Sequence, residues 1–173
     1  GCFGTIRFTN TNIYSDWSVK NCSFISNTAH KAAGISVTSN AGHKFIGCLF
    51  LNNYARSSGA ILYSNSETTM TISDSVFLGN SNGDTSYLIS SYTDSYKVTA
   101  NYNWWGNTVE NKNTRIASVY TAAVTVNNWM YLDITANPSF LRLNDTTNIL
   151  FDLNKYATTS ATGTRTFAYT MPI

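Results

Sequence analysis

A unit of about 26 residues recurs three times in succession along this chain and then opens a fourth time. Val19-Lys20-Asn21-Cys22-Ser23-Phe24, Phe45-Ile46-Gly47-Cys48-Leu49-Phe50 and Ile72-Ser73-Asp74-Ser75-Val76-Phe77 superimpose position by position. Asn follows the phenylalanine three residues later each time, at Asn27, Asn53 and Asn80. A second apolar segment lies sixteen residues beyond each start, at Ile35, Ile61 and Leu88. The fourth unit opens at Val98 and runs into Asn103-Trp104-Trp105-Gly106, so the starts at 19, 45, 72 and 98 are spaced 26, 27 and 26 residues apart. A fixed period of this length is the signature of a solenoid.

The periodicity inside each unit is near two, with Val19, Asn21 and Ser23 alternating against Lys20, Cys22 and Phe24. Val, Ile, Phe, Tyr and Thr dominate, and these suit a pleated surface. Two or three short strands with polar corners make one turn of a parallel β-helix, with strands of successive turns about 4.8 Å apart. Parallel crossovers are right-handed in nearly all proteins, so an all-β, right-handed parallel β-helix is the expected fold. Leucine-rich repeats share the length but need a Leu lattice that is missing here. Phe24, Phe50 and Phe77 then form an inward aromatic ladder, and Ile35, Ile61 and Leu88 an aliphatic one. Each large side chain so buried contributes roughly 2 kcal/mol. Asn27, Asn53 and Asn80 fall at a corner, where Asn tolerates left-handed backbone angles and its amide can bond up and down the stack.

Three spans are expected: β-helix coils over residues 1–107, a capping segment over 108–136, and a β-hairpin tail or incomplete Ig-like domain over 137–173. Gly4-Thr5-Ile6-Arg7-Phe8 matches the second half of a unit, which suggests a piece of a longer solenoid. An open solenoid end is an unpaired sheet edge that needs cover. Trp104, Trp105 and the segment through Trp129 are the expected cap. Strands are expected over residues 116–126 and 129–135, then a hairpin between residues 140–143 and 149–153.

Composition narrows the function. Charged residues are only 12% of the chain and the net charge is +2, which argues against a nucleic-acid binder. No run of 18 apolar residues is present for a membrane-spanning helix, so direct membrane insertion of this segment is not expected. Cys22 and Cys48 share a position in successive units, whereas Cys2 lies outside the pattern. Stacked free thiols are expected ahead of a disulfide, and a metal site would need ligands that His30 and His43 do not supply. No cofactor is expected.

Several β-helices cleave polysaccharides, using carboxylates on neighbouring coils for Ca²⁺ binding or acid–base work, plus an Arg or Lys. The nine carboxylates offer one stacked candidate, Glu67 with Asp94, and Asp16 two coils away. Lys31, Arg56 and Asp84 gather at another corner. Both sets sit in polar turns where charges are normally solvated, so no catalytic residue is assigned. Tyr87, Tyr92 and Tyr96, with Tyr102 nearby, are candidate ligand contacts whose rings could stack on sugar C–H faces; a β surface that simply favours Tyr is the plainer reading. Sequons at Asn21-Cys22-Ser23 and Asn144-Asp145-Thr146 are candidate glycosylation sites, with Asn144 favoured by its turn-like surroundings.

Cys22-Ser23-Phe24-Ile25-Ser26-Asn27, Cys48-Leu49-Phe50-Leu51-Asn52-Asn53, Gly59-Ala60-Ile61 and Asn101-Tyr102-Asn103-Trp104-Trp105-Gly106 together resemble the adhesin-like surface proteins of methanogenic archaea. Trp129-Met130-Tyr131-Leu132 and Asn137-Pro138-Ser139 also resemble that family, in which such a segment leads into Ig-like repeats. The resemblance covers roughly residues 1–155; the third unit departs from it, having Tyr87-Leu88-Ile89 in place of Gly-Ala-Ile. It implies an extracellular, surface-displayed segment without catalytic residues. Its partners would be glycans or surface proteins of other cells, or copies of itself. A non-catalytic adhesin or stalk is the first expectation, a self-assembling fibre subunit the second, and a polysaccharide lyase or hydrolase the third.

Overall fold

The computed structural model describes residues 5–8, 17–37, 42–57, 62–64, 69–83, 88–91, 97–108 and 124–169. These residues form an all-β protein in which parallel sheets predominate. The chain opens with β1 (Ile6–Phe8) and then lays down short strands in successive sets. The first set is β2 (Trp17–Lys20), β3 (Ser23–Ile25), β4 (Thr28–Lys31) and β5 (Ile35–Val37). The second is β6 (His43–Ile46), β7 (Leu49–Leu51), β8 (Tyr54–Ser57) and β9 (Leu62–Ser64). The third is β10 (Thr69–Ser73), β11 (Val76–Leu78), β12 (Ser81–Asn82) and β13 (Ile89–Ser91). Then come β14 (Lys97–Thr99), β15 (Asn103–Thr108), β16 (Val124–Thr125), β17 (Trp129–Asn137), β18 (Asn148–Ala157) and β19 (Thr162–Thr164).

Each strand pairs in parallel with its counterpart in the next set. The sheets run β1-β5-β9-β13, β2-β6-β10-β14-β16 and β4-β8-β12, and the largest runs β3-β7-β11-β15-β17-β18-β19. Phe24 lies opposite Phe50, and Phe50 opposite Phe77. Parallel pairing in register places like side chains one strand spacing apart. The rings therefore stack with centroids 4.8 Å apart at both steps, and Trp105 extends the column at 4.2 Å from Phe77. Ile35, Phe45, Met70, Ile72, Ile89 and Val98 join this column in one apolar cluster drawn from three of the sheets.

The aliphatic column differs by one residue from the sequence expectation. Ile35 lies opposite Leu62, and Leu62 opposite Ile89. Ile89 is buried and Leu88 only half-buried, while Ile61 lies outside the described residues. Because side chains alternate between faces, a one-residue difference exchanges inside for outside. The fourth start differs too: Val98 lies opposite Met70, two residues before Ile72. The spacing has lengthened, since Ser75 meets Asn103 across 28 residues.

Trp104 and Trp105 do not end the parallel order. β15 pairs in parallel with β17, placing Asn103 opposite Trp129, and Val98 lies opposite Val124. Trp105 belongs to the ring column, and Trp129 is buried one step further on. The edge of β17 is covered by β18, which runs antiparallel to it from Trp129↔Ala157 to Asn137↔Asn148. The expected hairpin therefore has a different partner: residues 149–153 pair with β17, and residues 140–143 form no strand. Strand pairing is continuous across the boundaries expected at 107 and 136, since β15 and β17 cross them. Of the strand expected over residues 116–126, only Val124–Thr125 is described as one.

Candidate binding face

Two polar columns hold the corners on either side of the largest sheet. At one, Asn27 donates its backbone N–H and its amide to Asn53 Oδ1 at 3.1 and 2.9 Å. Asn53 repeats both bonds to Asn80 Oδ1, at 3.0 and 2.8 Å, and its amide also reaches the Phe24 carbonyl at 2.8 Å. The left-handed residue at this corner is one position earlier than expected: Ser26, Asn52 and Gly79 have φ of 54°, 54° and 62°. That geometry lets the following Asn turn inward to bond, instead of adopting the strained angle itself. Asn53 is fully buried, and so is Asn107, 27 residues beyond Asn80.

The second column was not legible as polar. Cys22, Cys48, Ser75 and Asn103 occupy it in turn. The Cys48 N–H donates to Ser75 Oγ, and the Ser75 N–H to Asn103 Oδ1, both at 3.0 Å. Cys22 is exposed and Cys48 buried, and both are free thiols. Burial pushes the Cys48 thiol above its ordinary value. The preceding residues, Asn21, Gly47, Asp74 and Tyr102, all have positive φ, from 51° to 64°. Gly47 suits this row because a Cβ there would lie 2.5 Å from Asn21 Oδ1 and 3.4 Å from the Ala168 carbonyl oxygen.

That last contact belongs to the C-terminal segment, which leaves β19 and crosses this corner. Arg165 forms a bidentate ion pair with Asp74: Nη1 bonds Oδ1, and Nη2 lies 3.0 Å from Oδ2. Asp74 is only 4% exposed, and the Arg165 guanidinium also sits 4.2 Å above the Tyr102 ring. The bond to Asp74 raises the Arg165 pKa above its already high ordinary value. The Ala168 N–H donates to Asp74 Oδ1 at 3.4 Å.

Tyr169 of this segment lies beside a groove of about 490 Å³ on the outer face of the largest sheet. Leu49 and Leu51 of β7, Val76 and Leu78 of β11, and Trp104 of β15 form its floor. Leu153 of β18 and Tyr169 form its wall. Trp104 is held by its Nε1, which donates to the Asn107 carbonyl at 2.8 Å. Burial raises the Tyr169 phenol, with the nearby Cys48 adding to the rise. A sheet face turned to water is ordinarily polar, whereas the side chains lining this strip are apolar and aromatic. The signal was present in Leu49-Phe50-Leu51 and Val76-Phe77-Leu78, where apolar residues run on without alternating.

Tyr87, Tyr92 and Tyr96 lie outside the described residues, as do Glu67, Asp94, Asp16, Asp84 and Cys2. Lys31 is half-buried, and Arg56 and His30 are exposed. Among the described residues no group of three or more His, Cys, Asp or Glu side chains could hold a metal ion. Asn21 and Asn144 are both exposed, and Asn144, with φ of 74°, sits in a turn closed by the Asp145 N–H to the Arg142 carbonyl at 3.0 Å. Comparison with protein families, with curated proteins and with solved structures found no match to this chain.

Proposed function

We propose that this chain is a non-catalytic segment of a cell-surface adhesin or stalk, built as a right-handed parallel β-helix. The observation that carries the reading is the pair of side-chain columns. Phe24, Phe50, Phe77 and Trp105 stack at 4.2–4.8 Å, and Asn27, Asn53 and Asn80 bond at 2.8–3.1 Å alongside them. Such columns suit a quasi-one-dimensional rod in which each turn contacts only its neighbours, a shape for reach and display. Right-handed winding follows from the rule for parallel crossovers. In this reading the strands β17, β18 and β19 are the cap.

Attachment is assigned to the apolar strip between Trp104 and Tyr169. Two aromatic rings flanking aliphatic side chains suit the C–H face of a sugar or an apolar patch on another surface protein. The resemblance to adhesin-like surface proteins of methanogenic archaea points the same way. The test is binding of the chain to an array of glycans and cell-wall polymers, with sugar reducing-end release assayed in the same wells. Binding without release, weakened by Trp104→Ala, supports the reading. Release of sugar would establish an enzyme instead. Silence in both assays would remove the attachment role and leave a structural stalk.

A further inference from the structure

Cys22 and Cys48 face each other across the boundary between the first and second sets of strands. Lys20 pairs with Ile46 before them and Ser23 with Leu49 after them, so the two cysteines are in register. Their backbones are tied on both sides. The Asn21 N–H donates to the Ile46 carbonyl at 3.0 Å, and the Leu49 N–H to the Cys22 carbonyl at 2.9 Å. Parallel neighbours lie about 4.8 Å apart, inside the roughly 4.4–6.8 Å between α-carbons that a disulfide spans. The Cys48 thiol already leans towards the first set, with Sγ 3.7 Å from the Val19 carbonyl oxygen and 3.6 Å from that of Ile46. Burial raises this thiol and a charge on Cys22 raises it further, so the two sulfurs are within electrostatic reach. The Cys22 thiol is exposed and donates to the Lys20 carbonyl at 3.2 Å. A turn about χ1 brings its sulfur round towards Cys48 at the loss of that one weak bond.

We propose that Cys22 and Cys48 are a modification site, which a low-molecular-weight disulfide such as oxidised glutathione converts into an intramolecular disulfide stapling the first set to the second. The Cys22 thiolate attacks one glutathione sulfur, breaking that S–S bond and expelling the other half as a thiolate. Cys48 then gives its proton to solvent and attacks the Cys22 sulfur, releasing the second glutathione. Two protein thiols lose two electrons and two protons, and the oxidant takes up both pairs as two thiols. The place suits a staple. Among the described residues β2, β3 and β4 are edge strands of their sheets, held on one side only. Local opening begins at such poorly held elements. A bond between Cys22 and Cys48, 26 residues apart, constrains the opened chain as well as the closed one. Further along the same column Ser75 and Asn103 join the sets by hydrogen bonds instead, at 3.0 Å. The proposal is independent of what the groove binds.

The experiment treats the native chain with oxidised glutathione, alkylates the remaining free thiols in urea, and reads intact mass and a peptide map. The oxidised chain is expected to lose about 2 Da before alkylation and to yield one cross-linked peptide pair holding Cys22 and Cys48, reversed by dithiothreitol. Cys2→Ser leaves that product in place, whereas Cys22→Ser and Cys48→Ser each abolish it. Amide exchange in β2, β3 and β4 slows by about tenfold or more in the oxidised chain, and its urea midpoint rises. Glutathione that stays on Cys22 while Cys48 is alkylated overturns the proposal. A disulfide joining Cys22 to Cys2, or to a second chain, overturns it as well. A Cys22–Cys48 bond that leaves exchange in β2 to β4 unchanged overturns the staple.

Discussion

Arg165 grips the carboxylate of Asp74 across 91 residues of sequence, through Nη2 to Oδ2 at 3.0 Å and a second bond from Nη1 to Oδ1. The pair is asymmetric: Asp74 is almost wholly buried, whereas Arg165 keeps a third of its side chain in solvent. Removing the arginine strands a buried charge, while neutralising the aspartate does not. Arg165→Ala is therefore expected to cost about 2–3 kcal/mol in urea unfolding, and Asp74→Asn only about 1 kcal/mol, since Asn accepts the left-handed angle of 51°. Equal costs would show that the pair contributes through packing alone.

Phe50 has a ring on both sides at 4.8 Å, whereas Phe24, at the end of the described column, has one. Phe50→Ala should cost about 3–5 kcal/mol, because the void opens between two rings. Phe24→Ala should cost less, and Phe50→Leu about 1–1.5 kcal/mol. Chemical denaturation of the three variants ranks them directly.

Asn53 makes one point of contact between three sets of strands. Truncating it to Ala strands the Asn27 N–H and part of the bonding capacity of Asn80, and removes one of the bonds to the Phe24 carbonyl. The expected loss is about 3 kcal/mol, against about 1 kcal/mol for the half-buried Asn27→Ala. Hydrogen exchange should speed up in β3 and β7 of the Asn53 variant before other strands.

Alkaline pH should unfold this protein through groups whose pKa rises on folding. Cys48 is raised from 9.0, and Tyr131 and Tyr169 from 10.0, in each case chiefly by burial. The unfolded chain releases these protons first, so the stability they protect is full below about pH 9 and is lost as pH climbs through the folded-state values. The urea midpoint should fall as pH rises above about 9, and Cys48→Ala should reduce the early part of that fall. A midpoint independent of pH over this range would count against buried, protonated side chains at these positions.

What could be read from the sequence follows from how the information is carried. Phe24, Phe50, Phe77 and the three asparagines announce themselves because a parallel stack sets identical side chains one above another, and identity at a fixed interval is visible in a string. Leu62 and Ile89 were each missed by one place because the step from Ile35 is 27 residues where 26 was expected, and apolar pairs such as Ile61-Leu62 and Leu88-Ile89 fit either phase. Trp104 and Trp105 looked like an ending because they break the Phe pattern; an indole fills the same column as a phenyl ring.

The sequence by itself determined the all-β class, the parallel neighbours of the first three sets, and the stacking of the Phe and Asn columns, since these depend on local alternation and on a period. Only the tertiary structure decided that β18 pairs antiparallel with β17, that Arg165 reaches Asp74, and that Leu153 and Tyr169 wall the groove over β7 and β11. Those contacts join residues with no common interval between them. Their partners are chosen by where the chain returns in space, which no periodicity records.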